Sequence, residues 1–324
     1  HHRLVGSEMC IRDSSGAADQ AVEITDATVL AVDLNTLNGN TTGTIDASTL
    51  SEIEGTAANV NTIYDSKSGG NGFTGLGDEA ITLTDTTVTA AALIDLYTNG
   101  TSGVIDASTV HTITGTTANA NTIYAQTSTF TGLGTENITI TGETSNTLGA
   151  AALNTLNGNT TGNINANTVT TLTGSISALN TAYAASASTG DGISNLGDEA
   201  ITLSDTSVTD VAALNTLNGN TTGLIDAGTN VTSFTGSISA LNTMFAAAGD
   251  SGDKIDFGGT SGAATQTVTI SDTTDVSVTG LNTLNSNTTG NIDATNVTSL
   301  ASASISDIKT LLTNGTVSYT HLRA

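Results

Sequence analysis

The chain has 324 residues, with 30 Asp or Glu against six Lys or Arg, and its formal net charge at pH 7 is −24. So few cations exclude a nucleic-acid-binding surface, which needs Lys and Arg to displace counterions from phosphates. The single cysteine excludes a disulfide framework or a thiolate metal site, and no apolar run approaches the roughly 18 residues of a membrane-spanning helix.

The two ends of the chain differ in composition from the rest. Residues 1–14 (HHRLVGSEMCIRDS) and 317–324 (VSYTHLRA) contain the cysteine, Cys10, and every arginine. Both segments resemble translated sequencing-adaptor read-through at the edges of assembled environmental DNA. The resemblance implies that they lie outside the natural fold and that neither natural terminus is present. We therefore assign residues 15–316 to one repeat domain.

One block recurs five times along this domain. In its best-preserved copies it reads LNTLNGNTTG, followed by a segment similar to IDAS. The isoleucine that follows the last glycine of the block recurs at spacings of 60, 59, 61 and 67 residues, at Ile45, Ile105, Ile164, Ile225 and Ile292. Self-similarity at such a period is typical of solenoids and other repeat architectures.

Each unit of about 60 residues consists of two half-units. An apolar-Asn-Thr-apolar pattern marks eight of the half-units, and degenerate copies begin at Leu93 and Ile308. The successive spacings alternate between 26 or 27 residues and 33 to 40 residues. The longer half carries an insertion such as GFTGLGDEAITL (72–83) or GISNLGDEAITL (192–203). The asparagines of the pattern are Asn35, Asn61, Asn121, Asn154, Asn180, Asn215, Asn242 and Asn282.

Every half-unit contains a strand pattern and a helix pattern. Apolar residues alternate with Thr or Ser in segments 81–86, 138–143, 201–206 and 268–273, which is the period of a pleated strand. Apolar residues spaced i, i+3 and i+7, as in Ile176, Leu179 and Tyr183, indicate one face of a short helix. We expect hydroxyl caps before these helices, at Thr56, Thr89, Ser175, Thr209 and Ser237, and left-handed Asn-Gly closures after them.

Helices this short are unstable alone, and a single half-unit cannot bury its apolar stripe. Stacked copies cover one another. The sequence therefore predicts an α/β solenoid of about ten strand-plus-short-helix coils whose strands form a long parallel sheet. The absence of proline fits a continuous hydrogen-bonded ladder. The alternative is an all-β solenoid in which the helix patterns are turns.

The most regular acidic position is the aspartate of the IDA triplet, for which two interpretations stay open. If these residues stack in register, their carboxylates form a column of calcium ligands. Alternatively, each one caps a turn through nearby backbone amides, which Asn165 of the third copy favours. The residues are Asp46, Asp106, Asp226 and Asp293.

The insertions supply a second set of carboxylates, in Gly-rich segments. Calcium chelation and solvated loop charge are the two interpretations, and no copy matches the EF-hand or the nonapeptide calcium repeat. Calcium is the only cofactor that the sequence suggests. The candidate residues of the insertions are Asp78, Glu79, Asp85, Asp198, Glu199, Asp205, Asp250, Asp253 and Asp256.

Enzymatic activity is not expected. A catalytic carboxylate pair should be singular and lie in a pocket, whereas these acids recur with the repeat, and His111 is the only histidine outside the two end segments. We expect Tyr64, Tyr124, Tyr183 and Phe245 to pack in the core rather than to bind sugars, and the repeated asparagines to be structural. Thr-x-Thr pairs such as Thr112/Thr114 suggest ice binding as a further alternative, although Thr also suits any exposed strand face.

The units LNTLNGNTTG, IDAS, VTTLTGS, ALNTAYA and GLGDEAITL resemble the repeat arrays of giant exported proteins of marine bacteria, particularly cyanobacteria. The resemblance covers nearly all of residues 15–316. It implies a stalk or spacer of a large secreted or surface-displayed, adhesin-like protein, outside the cell or on its surface. The expected partners are neighbouring repeats, with cell-surface glycans or other cells as further candidates. Nucleic acid and membrane insertion are not expected. The alternative function is a calcium- or glycan-binding surface on the same array.

Overall fold

The computed structural model describes residues 19–67, 72–186, 192–249, 254–258, 264–313 and 317–318. Within these residues short strands alternate with short helices along the whole chain. The elements are β1 (Val22–Glu23), β2 (Thr28–Leu30), α1 (Ala31–Asn40), β3 (Ile45–Asp46), β4 (Glu52–Gly55), α2 (Ala57–Ser66), β5 (Phe73–Thr74), β6 (Ala80–Leu83), β7 (Thr87–Thr89), α3 (Ala90–Asp95), β8 (Ile105–Asp106), β9 (Thr112–Gly115), α4 (Thr117–Tyr124), β10 (Phe130–Thr131), β11 (Asn137–Ile140), β12 (Thr147–Gly149), α5 (Ala150–Asn159), β13 (Asn163–Asn165), β14 (Thr171–Gly174), α6 (Ile176–Ser186), β15 (Gly192–Ser194), β16 (Ala200–Leu203), β17 (Ser207–Val208), α7 (Val211–Asn220), β18 (Ile225–Asp226), β19 (Ser233–Gly236), α8 (Ile238–Ala246), β20 (Ile255–Asp256), β21 (Thr267–Ile270), α9 (Val278–Asn287), β22 (Ile292–Asp293), α10 (Ile305–Thr313) and β23 (Val317–Ser318).

The chain divides into two compact units. The first contains residues 1–142 and 156–165, and the second contains residues 143–155 and 166–324. Each unit is built from stacked coils, in which two or three short strands lead into one helix. This arrangement confirms the predicted α/β solenoid, and the helices rule out the all-β alternative for the described residues.

Short and long half-units form different coils. A short half-unit contributes two strands and a helix, as in β3, β4 and α2. A long half-unit contributes a third strand immediately before its helix, as in β5, β6, β7 and α3. Segment 72–83 supplies β5 and β6, which pair with β3 and β4 of the short coil, and the additional strand β7 follows that segment.

The additional strands divide the ladder into five parallel sheets instead of one long sheet. The first unit contains the strand orders β1-β3-β5, β2-β4-β6-β8-β10 and β7-β9-β11-β13. The second unit contains β12-β14-β16-β18-β20 and β17-β19-β21-β22-β23. Strands β7, β12 and β17 are the third strands of long coils, and each begins a new sheet. The partner of β6 in the next coil is consequently β8, that coil's first strand.

The inward positions of each sheet form columns of apolar side chains. One column places Ile53 beside Ile81, Ile81 beside Ile105, and Ile105 beside Phe130. These side chains are at most 5% exposed, whereas the Thr residues that alternate with them face outward. The predicted alternation of apolar and hydroxyl residues is therefore confirmed.

Hydroxyl caps begin most of the helices, as predicted. The side chains of Thr56, Thr89, Ser175 and Ser237 accept hydrogen bonds from backbone amides in the first turn. The prediction for Thr209 is wrong, because Asp210 caps α7 in its place. A carboxylate one residue later reaches the same free amides.

The predicted left-handed Asn-Gly closure is also wrong for the described helices, while the pair Asn314-Gly315 lies outside the described residues. Asn38 and Gly39 lie inside α1, and Asn218 and Gly219 lie inside α7. Both helices end at the asparagine that follows the glycine, and the threonine after it takes an extended conformation. These helices therefore end at an extended threonine and not at a left-handed glycine.

Candidate functional site

The aspartates of the IDA triplets turn their carboxylates back onto their own chain. Oδ1 of Asp46 accepts a hydrogen bond from the backbone N–H of Ser48 at 3.0 Å, and Oδ1 of Asp106 accepts one from Ser108 at 2.9 Å. Asp226 accepts from the backbone N–H groups of Gly228 and Thr229, both at 3.0 Å. These are the Asx turns of the second interpretation.

Hydrogen bonding also lowers the pKa of two of these carboxyls. The side chain and backbone of Ser48 hold the pKa of Asp46 below its ordinary value, and those of Thr295 do the same for Asp293. Both effects favour the charged form through bonds made locally, without a cation.

The predicted column of aspartates does not form. Asp46 lies between Glu23 and Thr74, and these three residues belong to a different sheet from Asp106. Asp106 itself lies between Thr82 and Thr131. The sheet register changes with every long coil, so residues one full repeat apart do not stack. Two acids do lie side by side where Glu23 is beside Asp46 and where Asp226 is beside Asp256, but the members of these pairs come from neighbouring coils and not from positions one full repeat apart.

The glutamates of the insertions are buried rather than solvated. Glu79 and Glu199 are each 1% exposed and Glu136 is fully buried. The Oε2 atom of each accepts a hydrogen bond from the backbone N–H of a glycine two residues earlier, at 2.8 to 2.9 Å. The interpretation of these residues as solvated loop charge is therefore wrong.

Each buried glutamate also binds the tyrosine of the preceding helix. Tyr64 donates its hydroxyl to Glu79 at 2.7 Å, Tyr124 donates to Glu136 at 2.9 Å, and Tyr183 donates to Glu199 at 3.0 Å. Burial, followed by the neighbouring glutamate, raises the pKa of Tyr64 and Tyr124. The pairs join a helix to the insertion that follows it.

The fourth long coil replaces both members of the pair. Phe245 stands where the other coils have tyrosine, and Gln266 stands where they have glutamate. The Gln266 side chain donates to the Phe257 carbonyl at 3.0 Å and accepts from the Thr265 amide at 3.1 Å. The Phe245 ring packs at 5.2 Å from that of Phe257. The coil that lacks the tyrosine hydroxyl, because it has Phe245, thus also lacks the glutamate charge, because it has Gln266.

A third group of carboxylates caps helices in the preceding coil. Oδ2 of Asp85 accepts from the first amide of α2 at 2.7 Å, and Oδ2 of Asp205 accepts from the first amide of α6 at 2.8 Å. Asp272, which was not among the residues predicted from the sequence, does the same for α8 at 2.7 Å. A negative charge at a helix N-terminus is stabilising because of the free amides and the helix dipole.

The remaining acidic candidates do not converge. Asp78 and Asp198 are exposed, and Asp250 and Asp253 lie outside the described residues. Oδ1 of Asp256 accepts from the amide of Gly258 at 2.7 Å. Within the described ranges, no three His, Cys, Asp or Glu side chains lie together in a group that could hold a metal ion.

The asparagines of the repeated pattern form the most regular contact between coils. The Asn35 side chain donates from Nδ2 to the carbonyl of Asn59 in the next helix at 2.9 Å. Asn61, Asn154, Asn180, Asn215, Asn242 and Asn282 make the same bond to the next helix at 2.8 to 3.1 Å.

The threonine faces are regular only over short distances. In the first unit Thr89 lies beside Thr114 and Thr114 beside Thr139. In the neighbouring sheet Thr82 lies beside Glu54 on one side and Asp106 on the other. The hydroxyl columns are therefore interrupted by charge after a few strands.

The repeated positions were evident from the sequence, but two kinds of contact were not: the Tyr–Glu pairs, and the aspartates that cap a helix of the preceding coil. The Tyr–Glu pairs were missed because their members are 12 to 16 residues apart. The joint replacement by Phe245 and Gln266 is the signal that could have found them.

The chain matches no protein-family model, and neither the curated proteins nor the solved structures contain a significant match. Among the described residues, no helix has the length and apolar character needed to cross a bilayer.

Proposed function

We propose that the chain is a structural repeat array, a stalk or spacer of a large secreted or surface-displayed adhesin-like protein. The observation that carries the proposal is the asparagine bond from each helix to the next, which recurs from Asn35 to Asn282. In a solenoid, stability is approximately the sum of coil stabilities and contacts between neighbouring coils. A hydrogen bond repeated between successive helices stabilises the stacking of each coil on the next.

The use of the carboxylates supports the same proposal. Asp46 closes a turn, Asp85 caps a helix, and Glu79 binds a tyrosine and a glycine amide. Carboxylates that recur in these roles do not provide the single pocket that catalysis needs, so the proposed role is not enzymatic. The location outside the cell rests on the resemblance of the repeats to those of exported proteins.

The effect of calcium on the melting temperature distinguishes a spacer from the alternative function, a calcium-binding surface. The experiment is thermal unfolding of the chain by circular dichroism, with millimolar calcium, with chelator, and with magnesium at equal ionic strength. A spacer whose carboxylates are satisfied internally should have the same melting temperature in all three. A rise with calcium alone, reversed by chelator, would overturn this part of the proposal, since ligands that bind only the folded state stabilise it.

Mechanical unfolding tests the spacer role directly. When the chain is stretched from its ends, coils should unfold in successive groups, and each lost 60-residue unit should add about 200 Å of contour length. One all-or-none event over the whole chain would contradict an array of nearest-neighbour contacts.

A further inference from the structure

The recurring block contains an Asn-x-Thr triplet that begins where its helix ends. Helices α5, α7 and α9 end at Asn159, Asn220 and Asn287, and two threonines follow each of these asparagines. After α7 and α9 the first threonine is extended, with φ and ψ of −127° and 146° at Thr221 and of −133° and 145° at Thr288. Asn-x-Thr is the acceptor sequence for sugars linked to asparagine, and such acceptors lie on the surface of secreted proteins.

The first threonine of each of these triplets is buried and serves the fold. Thr160, Thr221 and Thr288 are at most 6% exposed. Each donates its hydroxyl to a backbone carbonyl of the preceding coil at 2.7 to 2.9 Å and accepts the amide of the glycine two residues later at 2.9 to 3.0 Å. The second threonine of each pair is exposed. The fold therefore fixes the triplet at its middle residue and presents the hydroxyl of its last residue to solvent.

The three asparagines differ in how firmly their side-chain amides are held. Nδ2 of Asn159 donates to Oδ1 of Asn121 in the preceding helix at 3.1 Å, and Nδ2 of Asn220 makes the same bond to Asn180 at 3.4 Å. Within the described residues the Asn287 side chain makes no such bond, and Oδ1 of Asn242, which lies at the position of Asn180 in the next pair of coils, has no partner. The nitrogen that would carry a sugar is therefore least engaged at Asn287.

The second copy of the block holds its triplet where the last hydroxyl is buried. This copy is one residue longer, and a π-helical turn (Leu96–Gly100) accommodates the extra residue. Its triplet is Asn99-Gly100-Thr101, and Thr101 is the buried threonine, 4% exposed, which donates to the Glu79 carbonyl at 2.6 Å. Nδ2 of Asn99 donates to Oδ1 of Asp95 at 2.7 Å. The sequence makes the four triplets equivalent, whereas the structure opens three of them and closes this one.

We propose that Asn220 and Asn287 are sites of N-linked glycosylation and that Asn159 is a slower site. The donor is a nucleotide-activated hexose. Nδ2 of the asparagine forms a bond to C1 of the sugar and loses a proton to a base of the transferase, while the bond from C1 to the donor's phosphate oxygen breaks and the nucleoside diphosphate leaves with its electron pair. The inference rests on the proposed export of the chain, and the attached sugars would add bulky, solubilising groups at the helix ends of the stalk.

The experiment is transfer of glucose from UDP-glucose to the whole folded chain by a soluble transferase that modifies Asn-x-Ser/Thr, followed over time by peptide mass spectrometry. We expect Asn287 and Asn220 to be modified, and Asn159 to react about five-fold more slowly because its bond to Asn121 must first break. Asn99 should remain unmodified. Asn230, which begins the triplet Asn230-Val231-Thr232, should also remain unmodified, because its Nδ2 donates to the Leu203 carbonyl at 2.7 Å.

Two matched variants test the triplet itself. Thr289→Ala removes the last hydroxyl of the Asn287 triplet and should abolish transfer to Asn287 alone. Thr283→Ala removes an exposed threonine of the same helix that belongs to no Asn-x-Thr triplet, and it should leave transfer to Asn287 unchanged. Equal melting temperatures establish that both variants are folded.

Digestion of the chain before the reaction separates the effect of sequence from that of structure. In the peptides Asn99 should react as well as Asn287, because Thr101 is no longer buried. Equal rates at Asn99 and Asn287 in the folded chain overturn the proposal, and so does a folded chain that stays unmodified, whether or not its peptides react. The melting temperature in calcium and the stretching of the unmodified chain involve no sugar, so failure of the spacer proposal is distinguishable from failure of this one.

Discussion

The buried pair Tyr183–Glu199 should be energetically coupled. Replacing Tyr183 with Phe leaves the Glu199 carboxylate with the Gly197 amide at 2.9 Å as its remaining donor to Oε2, and Oε1 already has no hydrogen-bond partner. Hydrogen bonds to charged groups contribute about 1.5–3 kcal/mol, and a buried group that loses one bears the cost of its desolvation. We expect Tyr183→Phe to cost about 2 kcal/mol of local stability.

A double variant measures the coupling between the two side chains. Glu199→Gln removes the charge and keeps an acceptor, so we expect it to cost about 1 kcal/mol. Tyr183→Phe combined with Glu199→Gln reproduces the Phe245 and Gln266 combination of the fourth long coil. Its cost should be smaller than the sum of the single costs by about 1–2 kcal/mol, as expected for residues in direct contact.

Native-state hydrogen exchange is the suitable assay because repeat proteins open locally. The amide of Gly197 reports on the pair, and the amide of Thr112, which donates to Thr86 at 3.1 Å in the other unit, serves as an internal reference. Tyr97→Phe controls for loss of a half-buried tyrosine hydroxyl elsewhere. Single-variant costs that add within about 0.5 kcal/mol would refute the coupling.

Four further predictions concern the contacts between coils. Gly223→Ala places a Cβ 2.0 Å from the Glu199 carbonyl oxygen, so it should strongly lower the free energy of unfolding measured in urea. The control is Gly219→Ala, whose Cβ would have no atom within 4 Å. This variant should leave the free energy of unfolding unchanged or raise it by about 0.5–1 kcal/mol. Asn215→Ala should cost about 1 kcal/mol through loss of its 2.9 Å bond to the next helix, and equal exchange of that helix's amides in both proteins would contradict this. Asp205→Ala should lower the stability of α6 by about 1 kcal/mol because the first amide of the helix loses its acceptor, and Asp205→Asn, which keeps an acceptor, should lower it less; thermal melting of α6 measures both. The tyrosines of the Tyr–Glu pairs have a raised pKa in the folded state, so the unfolded chain loses these protons at a lower pH than the folded chain. The free energy of unfolding should therefore fall as the pH rises above about 10. A free energy of unfolding that stays constant at alkaline pH would contradict this prediction.

Local sequence patterns were sufficient to predict which residues face the core. The alternation of Ile with Thr in segment 81–86 and the spacing of Ile176, Leu179 and Tyr183 each reflect the geometry of a single element, which needs no knowledge of its neighbours. The hydroxyl caps at Thr56 and Ser237 were predictable for the same reason, since cap and amide lie three residues apart. The number of coils followed from the repeat.

Contacts between coils were beyond the reach of the same reasoning. Whether Asp106 stacks on Asp46 depends on the third strand of the intervening long coil, which moves Asp106 into the next sheet. The motif GDEA around Glu199 has the composition of a solvated loop, yet a tyrosine 16 residues earlier buries the carboxylate. The period and the inward faces were thus determined by the sequence alone, because they depend on backbone geometry within one element. The pairing of strands and the environment of each acid were decided by the tertiary structure, because they depend on which coil the stack brings alongside.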